Sequence, residues 1–351
     1  MRAIKKILLL LTLSILTINL QAKAPVFPIG QPDNKPSRII RTCCSFGTEM
    51  QLLAIPGFKL TETTSIEKIG PHHYLGNESE GNGIIYSRRG GFIDMGHLRD
   101  QADWTAYLYT RLQENKSSGK LAMVLGREGG EKKLNVSIPS NMTDNDLIKL
   151  AGKIAYDLSV WHEIATWFGA SAIPFIPERY SSFSVEDAYS NLLGVNIGIQ
   201  ALHSELPYEK AVTRIISETL ESLDAVSTEA ETFLAMEEVR GIWWTREKKL
   251  PSSRVLLQRQ LQVYDCLRPW LVPGWIETNQ VPLELNIPQY TLNGQALNKF
   301  YDLEFKLNHK FPFRKMFPDR KDRNITQNDF DRLLEQVAIE VTKKDSLTRK
   351  N

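Results

Sequence analysis

Residues 143–169 read TDNDLIKLAGKIAYDLSVWHEIATWFG, and this stretch decides the fold class. Thr143 suits an N-cap, Asp144 and Asp146 suit the first turn of a helix, and Gly169 suits its stop. The spacing therefore predicts a long helix. On it, His162 shares a face with Ala151, Ala155, Leu158, Ala165 and Thr166. Small residues on that face let a second helix approach closely. Glu163 points about 100° away from His162, near Ser159 and Trp167, as the helical step requires. Further helices are expected on both sides. Phe92 to Gln113 carries Ile93, His97, Leu98, Trp104, Thr105, Leu108 and Leu112 near helical spacing. Ser184 opens another helix, with Glu186 and Asp187 in its first turn. Pro207 suits the first position of a third, Thr228–Arg240 adds a fourth, and Ile325–Lys343 reads as a closing amphipathic helix. Strand signals are fewer: Gly83–Ser87, the alternating Tyr301–Leu307, and a hairpin of Lys120–Leu125 and Lys133–Ile138 around Gly129-Gly130. Val255–Val263 reads equally as helix or strand. The expectation is a mainly α fold with minor β structure: a helical core with one or two short hairpins or small sheets.

The chain has 351 residues, 42% hydrophobic and 24% charged, which fits a globular protein and excludes disordered, collagen-like and coiled-coil classes. The net charge of +2 is set by residues 1–24, which hold Arg2, Lys5, Lys6 and Lys23 and no acid; without them 39 basic residues face 41 acidic ones. That balance argues against a nucleic-acid binder driven by bulk charge. Residues 1–24 read as a signal peptide: a basic start, an apolar run from Ile7 to Leu20, and the small-x-small pattern Ala22-Lys23-Ala24. The apolar run falls short of the roughly 20 residues a spanning helix needs. The expected product is an exported protein, periplasmic or extracellular, cleaved near Ala24 and without a transmembrane span. Residues 25–343 form one globular domain in this reading, and 344–351 a polar tail.

In an oxidising compartment, Cys43, Cys44 and Cys266 suggest one bridge from Cys43 or Cys44 to Cys266. A nucleophilic Cys44 working with His97 is a competing reading, but nothing around Cys43-Cys44 supplies an activating base.

Candidate chemistry lies in two segments. In Gly90–Trp104, Asp94, His97 and Gln101 fall on one helical stripe that continues to Thr105 and Leu108 and faces the core. In Asp157–Gly169, His162-Glu163 begins like a zinc-protease signature, but the position four residues after His162 is Thr166, so a required ligand is missing. What remains is an inter-helix site in which Asp94, His97 and His162 hold a metal, zinc by its donor set, and Glu163 or Glu186 moves the proton of an acidified water. Metal-free acid–base catalysis by the same groups is a second reading. The third is a buried polar network that fixes helix register. The patch from Glu178 to Asn191 reads first as a Ser184 cap, and alternatively as the wall of a polar cleft. Trp243-Trp244 and the Trp270–Trp275 segment read as core.

Taken together, Arg41-Thr42-Cys43-Cys44, Glu80-Gly81-Asn82-Gly83, Gly90–Asp100, Trp161–Trp167 and Ser182–Asp187 resemble an exported bacterial family described only as a domain of unknown function, DUF4056. The resemblance covers most of the mature chain. It implies export and supplies no reaction, cofactor or substrate. The residues lead to an exported envelope protein acting as a metal-dependent hydrolase through the Asp94/His97/His162/Glu163 cluster on an envelope substrate. The alternative is a non-catalytic envelope binding or structural protein whose Asp/His network only stabilises helix packing.

Overall fold

A computed structural model describes residues 36, 41, 46–47, 63–171, 178–248, 252, 255–276 and 281–348. Residues 1–24, Cys43 and Cys44 lie outside them. Among the described residues the chain is 45% helical and 17% strand, so helices dominate a mixed fold with small sheets. Antiparallel strands β1 (Ile84–Ser87) and β2 (Gly91–Asp94) lead directly into helix α1 (Met95–Glu114). Strands β3 (Lys120–Arg127) and β4 (Gly130–Ser137) form the expected hairpin, followed by α2 (Asp144–Trp167), α3 (Asp187–Leu202), α4 (Tyr208–Ser222) and α5 (Glu229–Glu238). The short pair β5 (Cys266–Leu267) and β6 (Leu285–Asn286) precedes β7 (Tyr301–Leu307), α6 (Phe313–Met316), β8 (Asn324–Thr326) and α7 (Phe330–Thr348).

The long stretch from Thr143 folds as its sequence dictates. The Thr143 hydroxyl accepts from the Asp146 N–H, and the Asp146 carboxylate accepts from the Thr143 N–H, closing a capping box. Other boundaries differ from expectation. Helix α1 starts at Met95, not Phe92, because Gly91 turns the chain at φ +64° and Phe92 and Ile93 pair with Tyr86 and Ile85. Asp94 is thus a cap, not a member of the helical stripe. Helix α3 starts at Asp187, because the Ser184 hydroxyl donates to the Glu186 carboxylate (2.5 Å) instead of capping. The closing helix begins at Phe330, after Ile325 is taken into β8, and runs past Lys343 to Thr348, a stretch without glycine or proline. The hairpin is also extended: β7 and β8 add to it, making a four-stranded antiparallel sheet in the order β3-β4-β7-β8.

Tyr301, Leu303, Phe305 and Leu307 alternate inward from β7, and Phe305 stacks on Trp161 of α2 with ring centroids 4.0 Å apart. The sheet therefore lies over α2, and its β3–β4 turn lands beside His162. On the other flank α1 and α3 run parallel and close. A Cβ at Gly194 would lie 2.0 Å from the Leu98 carbonyl oxygen, and one at Gly198 3.0 Å from that of Ala102. Gly194→Ala is accordingly expected to force α1 and α3 apart and to destabilise the fold by about 3 kcal/mol or more, the upper range of core overpacking. A urea midpoint unchanged from wild type would contradict this close approach.

Trp243 and Trp244 are buried, and Trp243 packs edge-on against Phe92 and Trp270. No helix among the described residues is long and apolar enough to cross a membrane. Cys266 carries an exposed thiol that donates to Glu284; Cys43 and Cys44, the partners expected from the sequence, lie outside the described residues.

Candidate metal centre

His97 lies in the first turn of α1, where Asp94 fixes it. Asp94 Oδ1 accepts from the N–H groups of Gly96 (2.7 Å) and His97 (3.0 Å), and Oδ2 lies 3.0 Å from His97 Nδ1. One carboxylate thereby caps the helix and orients the ring. His162 is oriented by a residue the sequence reading missed. Glu128, the last residue before Gly129-Gly130, places Oε1 2.7 Å from His162 Nδ1 while Oε2 accepts from Lys132 Nζ (2.8 Å). The neighbouring Trp161 secures this arrangement, since its indole N–H donates to the Glu128 carbonyl (3.0 Å). Gly129, at φ +67°, lets the turn sit against Phe311 and Ala165, where a Cβ would meet both at about 3 Å. A glutamate followed by a Gly-Gly turn is visible in sequence. That the turn docks on the tryptophan preceding His162 is not.

With both Nδ1 atoms facing carboxylates, Nε2 is the ring atom each histidine would offer a metal. The two rings lie 6.4 Å apart, centroid to centroid. Glu163 completes the convergence. Its Oε2 accepts from the Phe183 N–H (2.6 Å), which leaves Oε1 4.0 Å from His162 Nε2. Phe183 makes that bond from a left-handed backbone (φ +57°), a strained conformation for a buried aromatic residue and one retained where the surroundings demand it. Thr166, where a zinc protease would carry its second histidine, instead donates to the His162 and Glu163 carbonyls and accepts from Ser182, tying this loop to α2.

One ring nitrogen each of His97 and His162 and one oxygen of Glu163 lie within 4.8 Å of one another. Ligands of a tetrahedral zinc, at bond lengths near 2 Å, stand about 3.3 Å apart, so side-chain adjustments of about an ångström would seat the ion. A second group, Asp94, His97 and Asp187, meets the same distance criterion on the other side of the His97 ring, with Asp187 Oδ1 3.7 Å from Nδ1. All five site residues singled out in the sequence lie in this region. Asp94, His97, His162 and Glu163 adjoin directly. Glu186 is joined through Ser190, whose hydroxyl donates to the Glu186 carbonyl (2.7 Å) and accepts from the Asp94 N–H (2.9 Å). His97 and His162 open onto a cavity of about 1040 Å³, walled also by Gln101, Trp104, Asn191 and the β3–β4 turn.

Burial sets the electrostatics. Asp94, Glu163, Glu186 and Asp187 are all buried. Burial, reinforced by the Asp94 charge, pushes the Glu186 carboxyl up to about 8. A carboxyl raised in the folded state holds a proton that the unfolded chain releases above about 4.5. The associated stability is present below that pH and lost as pH rises toward 8. Glu186→Gln, which mimics the protonated acid, is therefore expected to match wild type near pH 5. At pH 9 it should exceed wild type by a few kcal/mol, about 1.4 kcal/mol for each tenfold change in proton affinity on folding. Melting curves of chelator-treated protein across that range test this; parallel pH profiles would refute it.

The Arg88–Arg89 pair is engaged with the chain. Arg88 reaches Asp224 (3.3 Å), and Arg89 donates to the carbonyls of Ser222 and Val281.

The chain matches the family described as Protein of unknown function (DUF4056) over residues 31–273 and belongs to it. The match spans both histidines, Glu128, Glu163 and Glu186. No curated protein and no solved structure matches the chain.

Proposed function

We propose that the protein is a metal-dependent hydrolase, with zinc held by His97, His162 and Glu163. The observation that carries this reading is the convergence of two imidazoles, each backed by a carboxylate on Nδ1 and both bordering a cavity, with a third, buried carboxylate within reach of both. Two histidines and one carboxylate are an open catalytic donor set, and backing carboxylates fix tautomer and raise ligand basicity. A divalent cation there supplies Lewis acidity and lowers the pKa of water. Asp94, predicted as a ligand, serves in this reading as the orienting group of His97, because both of its oxygens already face that residue or the helix start. Glu163 moves from proton carrier to ligand. Glu186, protonated at neutral pH, is the proton store behind Asp94 and His97. Export remains a reading of residues 1–24, and an envelope substrate follows only from it.

Zinc titration of chelator-treated protein tests the centre. One tight site is expected, together with hydrolysis of p-nitrophenyl acetate that appears with zinc and vanishes with chelator. Glu128→Gln is expected to weaken zinc binding about 10- to 100-fold, as loss of a backing carboxylate typically does. Absence of a zinc site would overturn the reading. If esterase activity persisted without metal and was abolished by thiol alkylation, the His97–Asp94 pair would instead be the base of a thiol hydrolase.

A further inference from the structure

Two carboxamides line the cavity beside the candidate metal centre, and neither is explained by the fold. Gln101 is 8% exposed and Asn191 1% exposed, yet Gln101 Oε1 and Asn191 Oδ1 have no hydrogen-bond partner among the described residues. Buried polar atoms normally find partners, and an unpartnered one in a cavity wall is open to water or to a ligand that enters the cavity. Their placement is ordered. His97, Gln101 and Trp104 follow one another at steps of four and three along α1, so they form one line down a helix face, and all three border the cavity. Because Gly194 packs on Leu98 and Gly198 on Ala102, α3 runs parallel to α1, and Asn191, one turn earlier, stands level with the start of α1 near His97.

We infer that Asn191 and Gln101 are positioning residues for a peptide-like substrate that lies extended along α1 from the metal centre to Trp104. This deepens the hydrolase reading and rests on it. A carboxamide offers C=O and N–H side by side, the complement of a peptide unit. Along α1, Gln101 is roughly 6 Å and Trp104 roughly 10 Å from His97, at 1.5 Å per residue. An extended chain rises about 3.3 Å per residue, so these distances correspond to about two and three residues beyond the reacting bond. Asn191 would then flank the reacting amide and Gln101 the second unit, with Trp104 closing the far end. In the reaction, water oxygen bonds to the acyl carbon, the C–N bond breaks, and one proton passes to the leaving nitrogen.

Hydroxamate probes test this on the zinc-loaded full chain. Acetohydroxamate reports the metal alone, and Ac-Ala-Ala-Ala-NHOH adds three peptide units. The longer probe is expected to bind about tenfold more tightly, one well-formed pair of hydrogen bonds. Methylating its amide nitrogens should remove that gain in wild type, and Gln101→Leu should remove it while acetohydroxamate binding stays the same. Equal affinity for long and short probes overturns the track while leaving the metal centre standing. If acetohydroxamate fails to bind, the metal reading fails, and the track is judged on Ac-Ala-Ala-Ala-NH2 alone. Quenching of the fluorescence that Trp104→Phe removes would sustain it, and no quenching would overturn it. Displacement of the probe by chitotriose but not by the tripeptide amide would assign the carboxamides to a sugar and likewise overturn it.

Discussion

Arg41→Met is expected to destabilise the protein by about 3–5 kcal/mol, the cost of removing one partner from a buried ionic cluster. The Arg41 guanidinium is almost fully buried and is shared among three acids. Nε and Nη2 donate to the two Glu80 oxygens (2.8 Å each), and Nη1 donates to Asp100 (2.7 Å) and Asp103 (2.8 Å). Burial alone would lower the Arg41 pKa, but the three carboxylates outweigh it and hold the group charged. The benefit is reciprocal for Glu80. Burial would raise its pKa, yet Arg41 and Arg99 bring it down to about 2. Without Arg41, Asp103 keeps His72 (3.0 Å) and Glu80 keeps the His73 N–H and the Asn82 amide (3.0 Å each) with a longer contact to Arg99 (3.7 Å), while Asp100 loses its cation. Asp100 is already the weakest member, pushed by burial up to about 7 against the pull of Arg41. Asp100→Asn should thus cost far less than Arg41→Met. Urea unfolding of both variants measures the difference, and equal small losses, under about 1 kcal/mol, would show that the cluster is not a structural keystone. Because α1 carries Asp100 and Asp103 within two turns of His97, this cluster also sets where α1 lies against the chain before it.

How much of this is legible in the sequence depends on the range of the interaction concerned. Local signals read well: Thr143 capping α2, the alternation of Tyr301–Leu307, and Thr228 opening α5 all follow from bonds within a few residues. Asp94 joins a helical stripe in the sequence because its spacing to His97 fits a helix. The pairing of Phe92 with Tyr86, a contact through a turn at Gly91, decides otherwise. The meeting of His97 with His162 follows from small residues and polar spacing, and the structure brings their rings together. Asn191 closes the Glu178–Asn191 patch that the sequence offers as a cleft wall, but its level beside His97 comes from glycine-mediated contact of two parallel helices. Glu128 is out of reach altogether, because a hairpin turn held by Trp161 places it and no periodicity encodes that event. Arg41 stands in the sequence only as part of a motif, since a lone arginine before two cysteines gives no hint of three carboxylates 39 to 62 positions later.

The sharpest separation between a metal centre and a mere helix clamp comes from His162→Ala. As a metal ligand, His162 should be indispensable: zinc affinity is expected to fall by about 10³-fold, equivalent to about 4 kcal/mol, with loss of the metal-dependent esterase activity. As a clamp, its removal should instead lower the stability of metal-free protein. The surroundings favour the first outcome. Glu128 retains Lys132 when the ring is removed, and its backbone carbonyl retains Trp161, so the β3–β4 turn stays anchored on α2. The metal-free variant should accordingly melt close to metal-free wild type, while zinc raises the melting point of wild type alone, because a ligand that binds only the native state stabilises it by mass action. Glu163→Gln provides the complementary measurement. A glutamine oxygen can still accept from the Phe183 N–H, so the strained loop keeps its tether, but the neutral amide is a far poorer zinc ligand than the carboxylate. Zinc binding should drop in this variant while metal-free stability holds. If both substitutions instead destabilise the metal-free protein and leave zinc uptake unchanged, the histidines and Glu163 serve the packing of α1 against α2, and the chemistry must be sought elsewhere in the cavity.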